Sequence, residues 1–186
     1  FLGDAGWNAL LMGGSTIINN SDASTFDEMI VGVDALLGGD AFVGQLVAFG
    51  DLAPGDVGAG TITVDGDIYQ GAESTYFVEL DYSGSDLIDV AGDAYVEDGA
   101  MVDVSTIGYV AEGAYTIMAA DGALLYNSAL TNLTVPDSLV LTYELEVDDV
   151  YNTVILNAGR ETYEEIGVVS NGIPAGDALI DMAAAG

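Results

Sequence analysis

Carboxylates are the only side chains in this sequence that are numerous enough to suggest a particular chemistry. The chain contains 31 Asp and Glu residues against one Lys or Arg. Two close pairs, Asp86 with Asp89 and Asp148 with Asp149, have the residue types of a glycosidase, in which one carboxyl group of raised pKa faces a second carboxylate. Both pairs fall at predicted strand edges and turns, where acids are usually solvated.

The residues that normally assist acids in catalysis are absent from the sequence. The chain has no His, so a serine nucleophile would lack its usual base. It also has no Cys, and its one basic residue is Arg160. Glu164 follows Arg160 by four residues, which favours a local ion pair over a ligand anchor. We therefore predict no catalytic residues, no cofactor and no enzymatic activity.

Four aspartates raise the question of calcium. Asp65, Asp67, Asp89 and Asp93 lie near turns that the sequence suggests are equivalent, and stacked turns would bring their carboxylates together. Calcium needs six to eight oxygen ligands, and the glycine-rich repeat of calcium-binding β-rolls is absent. The pattern therefore favours solvated turn aspartates and no metal site, with weak divalent-cation binding as the alternative.

The net charge of −30 restricts the partners of the chain. Nucleic acids and anionic membrane surfaces both require Lys and Arg, so neither is predicted to bind. No apolar run approaches the roughly 20 residues of a membrane span, so no direct insertion in a membrane is predicted. Cations, cationic surfaces and further copies of the chain, through self-association, are the partners that this charge allows.

A short repeat indicates how the chain is organised. The pattern Gly-Asp-x-aromatic begins at Gly39, Gly66 and Gly92. A spacing in the mid-twenties suits one coil of a solenoid built from short strands and turns. The repeat therefore predicts that the aspartates that follow these glycines occupy equivalent turns on successive coils.

Apolar residues alternate with polar ones at period two in several segments, which predicts strands with one buried face. The expected buried residues are Tyr76, Val78, Leu80, Leu141 and Tyr143, and the expected exposed ones are Glu79, Asp81, Glu144 and Glu146. Shorter strands are predicted at Thr61–Val64, Leu87–Val90, 101–104, 115–119 and 150–156. A helix is predicted only at 175–185, which follows Pro174 and is rich in alanine.

Phrases in the order and spacing of a known family run from residue 30 to residue 159. They are 35–39 with 43–44, 52–55, 60–70 (GTITVDGDIYQ), 74–80, 85–92 (SDLIDVAG), and 115–118 with 120–122. On these residues the chain resembles the passenger domains of autotransporters, the type V secreted proteins of Gram-negative bacteria. The resemblance implies an all-β right-handed parallel β-helix over 1–160, then a connector and a short linker helix over 161–186.

The same resemblance implies a role and a location. The chain would be the non-catalytic structural stalk and folding core of a secreted passenger, outside the cell or on its surface. A self-assembling surface-layer or filament subunit is one alternative, because an open solenoid end can template stacking. An adhesin-type binding module is another.

The net charge predicts that salt stabilises the fold. Acids held together in the folded chain repel one another, and unfolding separates them. The screening length falls from about 8 Å at physiological ionic strength to about 3 Å at 1 M. We expect the melting temperature, followed by circular dichroism at neutral pH, to rise along a sodium chloride series. A melting temperature that does not change with salt would contradict this expectation, and a saturable response to micromolar calcium alone would favour specific metal sites.

Overall fold

The computed structural model describes residues 7–18, 26–55, 58–126, 133–135 and 141–160. Within these residues the structure is all β and contains no helix. In the described part of the chain, no helix is long and apolar enough to cross a membrane. The predicted connector and linker helix, at 161–186, lie outside the described residues.

The strands form three sheets of six strands each. In spatial order, sheet A contains β1 (Trp7–Leu11), β3 (Phe26–Val31), β6 (Gln45–Ala48), β9 (Ile68–Gln70), β12 (Ala94–Val96) and β15 (Leu124–Tyr126). Sheet B contains β16 (Leu133–Thr134), β13 (Met101–Thr106), β10 (Thr75–Leu80), β7 (Asp51–Pro54), β4 (Ala35–Gly39) and β2 (Gly14–Ile17). Sheet C contains β17 (Leu141–Asp148), β18 (Thr153–Arg160), β14 (Gly113–Ala120), β11 (Leu87–Val90), β8 (Thr61–Val64) and β5 (Phe42–Val43).

From β3 onward the chain visits sheets A, B and C in turn, and each such set of three strands is called a circuit here. Strands of successive circuits pair in parallel. The predicted all-β class is thus confirmed, and the cyclic order of parallel strands is consistent with a parallel β-helix. The last two strands differ, because β18 pairs antiparallel with β14, and β17 pairs antiparallel with β18.

The core lies between the three sheets and is built from columns of inward side chains. In sheet A, Met29, Leu46, Ile68, Ala94 and Leu124 stand in register on neighbouring strands. All five are buried. Period-two alternation sends these side chains inward on every strand, and burial of apolar area at about 25 cal/mol per Å² then stabilises the stack.

The predicted burial is confirmed where a strand has neighbours on both edges. Tyr76, Val78 and Leu80 of β10 are at most 1% exposed. The Tyr76 hydroxyl donates a 2.8 Å hydrogen bond to the carbonyl oxygen of Ile117 in sheet C, so this tyrosine belongs to the core. Burial raises the pKa of Tyr76 well above its usual value of 10.0.

The prediction is only partly right at β17. Glu144 and Glu146 are exposed as expected, but Leu141 and Tyr143 are only half-buried. The reason is that β17 is the last strand of sheet C and has a strand neighbour on one edge only. The strand predicted at 150–156 is found at Thr153–Arg160, because residues 149–152 form the turn between β17 and β18.

The three-copy repeat prediction is wrong for its first copy. Asp67 and Asp93 do stack, between sheet C and sheet A, but Asp40 lies between β4 of sheet B and β5 of sheet C. The residue that stacks next to Gly92 at this corner is Gly122, whose backbone N–H donates to the Gly92 carbonyl oxygen at 2.9 Å. The strand pairing, and not the repeat, is therefore the evidence for the cyclic architecture.

Two adjacent leucines of β4 test this packing. Leu37 is fully buried, whereas Leu36 lies on the outer face and is half-buried. We expect Leu37→Ala to lower the free energy of unfolding by about 2–5 kcal/mol and Leu36→Ala to lower it by about 1 kcal/mol or less. Urea denaturation of the two variants measures the difference, and equal losses would mean that the strand faces are assigned wrongly.

Candidate functional site

The first pair of candidate catalytic acids does not form a site. Asp86 is 1% exposed and directly precedes β11, whereas Asp89 is exposed on the outer face of that strand. Their side chains therefore do not flank a common cleft, and no arrangement for two-carboxylate hydrolysis results from them.

The second pair is engaged in hydrogen bonds, local ones at Asp148 and a long-range one at Asp149. Asp148 accepts the backbone N–H groups of Val150 and Tyr151 at 2.9 and 3.1 Å, which closes the turn after β17. Asp149 accepts the hydroxyl proton of Tyr126 at 3.0 Å, and this hydrogen bond raises the pKa of that tyrosine. Asp148 thus holds the turn itself, and Asp149 connects this turn to β15.

The prediction that the four calcium candidates lie near equivalent turns is right for Asp67 and Asp93 and wrong for Asp89. Asp67 and Asp93 share one corner of successive circuits, but Asp89 stands in register with Thr63 in the middle of sheet C. Asp65 follows β8, ahead of the corner. All four carboxylates are exposed. Among the described residues, no three or more acids are grouped so as to hold a metal ion.

The corner aspartates instead connect one circuit to the next. Each uses its Oδ1 atom to accept the backbone N–H of a residue in the following circuit. The bonds run from Thr61 to Asp40 at 2.8 Å, from Thr75 to Asp51 at 3.2 Å, from Asp93 to Asp67 at 2.8 Å, and from Ala123 to Asp93 at 2.8 Å. These amides lie at strand ends, where the ladder of backbone bonds stops, so the carboxylates satisfy donors that would otherwise depend on water.

The densest set of such bonds surrounds residues 58–61, and we call it the amide clasp. Three backbone N–H groups each donate to a different carboxylate. Gly58 donates to Glu79 at 3.1 Å, Gly60 to Asp86 at 2.8 Å, and Thr61 to Asp40 at 2.8 Å, while a carboxylate oxygen of Asp81 lies beside Gly58. Glu79 and Asp81 were predicted to be exposed and are half-buried, because they reach this loop. The clasp thus gathers four carboxyl groups without a basic residue.

Asp86 is the buried member of the clasp. Its Oδ1 accepts Gly60 N–H and its Oδ2 accepts Glu79 N–H, both at 2.8 Å. Burial raises the pKa of Asp86 from 3.8 to about 7, and the nearby carboxylates of Glu79 and Asp40 add to the rise, while the two N–H bonds oppose it. Ser83 lowers the pKa of the half-buried Asp81 through its hydroxyl and backbone N–H.

A different surface lies on the outer face of sheet A, and we call it the apolar stripe. One outward position on each strand, in register from edge to edge, carries an apolar or aromatic residue. These residues are Leu10, Ile30, Val47, Tyr69, Tyr95 and Leu125. The rings of Tyr69 and Tyr95 stack with centroids 5.5 Å apart, and Phe49 meets Tyr69 edge to face at 5.8 Å.

One end of the apolar stripe widens into a groove of about 560 Å³. Met12, Val33 and Phe49 line it together with Leu10 and Ile30. Met12 is 78% exposed and Val33 is 61% exposed, so large apolar side chains face solvent here.

The comparisons with known proteins add no assignment. No protein-family model matches the chain, and no curated protein matches it.

Sequence reasoning missed both the amide clasp and the apolar stripe. The clasp joins residues up to 46 positions apart, from Asp40 to Asp86, so no local spacing indicates it. The stripe was missed because its strands are too short for period-two alternation to show which face is outward. The pair Tyr69 and Tyr95 was nevertheless available, since both are the aromatic residue of the Gly-Asp-x-aromatic repeat. Arg160, expected beside Glu164, forms an ion pair with Glu112 at 3.0 Å, and Glu164 lies outside the described residues.

The corner bonds predict a difference between two substitutions of Asp67. Alanine removes the acceptor of Asp93 N–H, whereas asparagine retains an oxygen at Oδ1. We expect Asp67→Ala to cost about 1 kcal/mol of stability and Asp67→Asn clearly less, as measured by urea denaturation. Asp89→Ala, on the outer face of sheet C, is the control and should change stability by less than about 0.5 kcal/mol. Equal effects at Asp67 and Asp89 would contradict the role of the corner bonds.

Asp86 predicts a pH dependence of stability. Because its pKa in the folded chain, about 7, lies above the usual 3.8, the folded state binds the proton more tightly than the unfolded state. This contribution is complete below about pH 4 and is lost as the pH rises through about 7. We expect stability measured between pH 5 and pH 8 to fall less steeply in Asp86→Asn than in the parent chain. Asp89→Asn is the matched control, and an unchanged slope in Asp86→Asn would exclude Asp86 as the source.

Proposed function

We propose that the chain is a right-handed parallel β-helix and serves as a non-catalytic structural stalk and folding core. In this proposal it belongs to a secreted, surface-displayed passenger of the autotransporter type, outside a Gram-negative cell. The observation that carries the proposal is the cyclic order of parallel strands around one continuous core. In such a stack each circuit packs on its neighbours, so that folding can propagate from one circuit to the next, as a stalk and folding core requires.

The use of the acids supports the non-catalytic part of the proposal. In the described part of the chain, the two candidate catalytic pairs do not converge on a cleft, and Asp148 and Asp149 both accept structural hydrogen bonds. Asp86, the buried carboxylate, has both oxygens occupied by backbone N–H groups. A carboxylate held in this way is positioned to support the backbone and not to meet a substrate.

The antiparallel end of sheet C favours a stalk over a filament subunit. A filament formed by end-to-end stacking would continue parallel pairing in all three sheets. In sheet C the hairpin β17–β18 occupies the place of the next parallel strand. This hairpin also covers the core, since Val154, Leu156 and Ala158 of β18 are buried. The binding-module alternative is supported by a separate observation, the apolar stripe.

Surface display tests the stalk proposal. The chain, with a reporter domain at its N-terminus, is placed between a secretion leader and a membrane anchor in a Gram-negative host. We expect protease-accessible reporter on intact cells, and we expect a strong loss of it with Leu37→Ala combined with Val78→Ala, because both side chains are fully buried. Leu36→Ala is the matched control and should display normally. Display that is equal for all variants would overturn the role as folding core.

A further inference from the structure

The apolar stripe is unlike the outward columns of the other two sheets. In sheet B the corresponding columns contain Asp51 and Asp103, and in sheet C the column that begins with Phe42 contains Asp89. In sheet A, six successive strands carry no charge at the stripe position, in a chain with 31 acids. A charge-free column of this length therefore stands out from the rest of the surface.

The ends of the stripe are solvent-exposed. Leu10 is 59% exposed at one end and Leu125 is 48% exposed at the other. Contiguous exposed apolar surface rimmed by polar residues is typical of an interaction site. The stacked pair Tyr69 and Tyr95 supplies the kind of rigid aromatic contact that dominates binding at protein interfaces.

Acids border the stripe, mainly on the side that precedes it along the chain. Glu28, Asp67 and Asp93 stand two residues before the stripe position on their strands, and Glu97 stands two residues after it. Glu97 is held in place there, because it accepts the backbone N–H of Ala72 at 3.3 Å. Its carboxylate also lies beside the Tyr69 hydroxyl and raises the pKa of Tyr69 to about 12. A partner with an apolar ridge and neighbouring basic residues would match this pattern of charge.

The dimensions of the stripe fit an α-helix that runs along it. Six strands at a spacing of about 4.8 Å give a length of about 24 Å. A helix rises about 1.5 Å per residue and about 5.4 Å per turn, so roughly 16 residues would span the stripe with about one turn per strand. Apolar residues three and four apart would then face successive strands.

We propose that the outer face of sheet A binds a cationic amphipathic helix of a partner protein, with the apolar face of the helix on the stripe and its Lys and Arg residues beside the bordering acids. A second copy of the chain fits less well. It would carry the same net charge of −30 and would bring the same acids to the rim. This interaction would add a binding function to the proposed stalk and does not depend on the secretion route.

Binding of synthetic peptides to the full chain tests the proposal. The probe is a fluorescent helical peptide of about 16 residues with Leu on one face and Lys on the other. The comparison peptide has the same Lys residues, with Ser and Ala in place of Leu. We expect fluorescence anisotropy to show at least 10-fold tighter binding of the Leu peptide, with affinity that falls as sodium chloride is raised.

Variants of the chain locate the site. We expect Tyr69→Ser with Tyr95→Ser to weaken binding of the Leu peptide at least 10-fold. Phe77→Ser, on the outer face of sheet B, should weaken it less than 2-fold. If the double tyrosine variant does not fold, Leu10→Ser with Leu125→Ser replaces it, since both residues are exposed, and about 3-fold weaker binding is expected.

Three outcomes would overturn the proposal. Equal binding of the two peptides would show that net charge alone attracts them. Equal effects of the stripe variants and Phe77→Ser would place binding elsewhere. Light scattering that shows a dimer of the parent chain and a monomer of the stripe variants would assign the stripe to a second copy.

Discussion

Hydrogen bonds from backbone amides to carboxylates connect the circuits of this fold at the corners, where the strand ladders stop. A chain with 31 acids and one base has almost no side-chain cations to pair with. In the described residues, one ion pair is formed, between Arg160 and Glu112. Several of the other acids, among them Asp67, Asp86 and Asp93, meet the partial positive charge of backbone N–H groups, and charge-assisted bonds of this kind are stronger than neutral ones. The acidity of the chain is therefore partly structural, in addition to any effect on solubility.

This arrangement restricts the residues that can occupy the corners. A Cβ at Gly92 would overlap the Asp67 carboxylate and the Gly66 carbonyl, and a Cβ at Gly122 would overlap the Asp93 carboxylate in the same way. Glycine therefore lets each carboxylate approach the next circuit closely. This contact explains the glycines at 92 and 122, where the glycine of one circuit makes room for the aspartate of the circuit before it.

Burial and charge are separated in space by the alternation of the strands. Inward columns are apolar and continuous, whereas the corners and most outward columns carry the acids. Two features depart from this division. Asp86 is a carboxylate taken out of solvent by the amide clasp, and the apolar stripe is an apolar column left on the surface. Two backbone N–H groups stabilise the Asp86 carboxylate. The apolar stripe is covered by no other residue among those described, and it is therefore the part of the surface best suited to binding.

Much of the fold could be predicted from the sequence, because the signals concerned are local. Period-two alternation identified β8 and β11 with their bounds and predicted the burial of Val78 and Leu80. The Gly-Asp-x-aromatic repeat predicted correctly that Asp67 and Asp93 occupy equivalent turns. The resemblance supplied a parallel β-helix, with which the sheet topology is consistent. These conclusions depend on residue type and spacing alone, and both are present before the chain folds.

Register between circuits was decided only by the tertiary structure. Leu37 pairs with a residue 15 positions later, whereas Val90 pairs with one 30 positions later, so no fixed period predicts which residues stack. For this reason Asp40 was placed at the wrong corner, and the half-burial of Leu141 at the sheet edge was not foreseen. The amide clasp and the apolar stripe both arise from that stacking. The sequence determines which residues are apolar, acidic or turn-forming, and the stacking of circuits determines which of them meet.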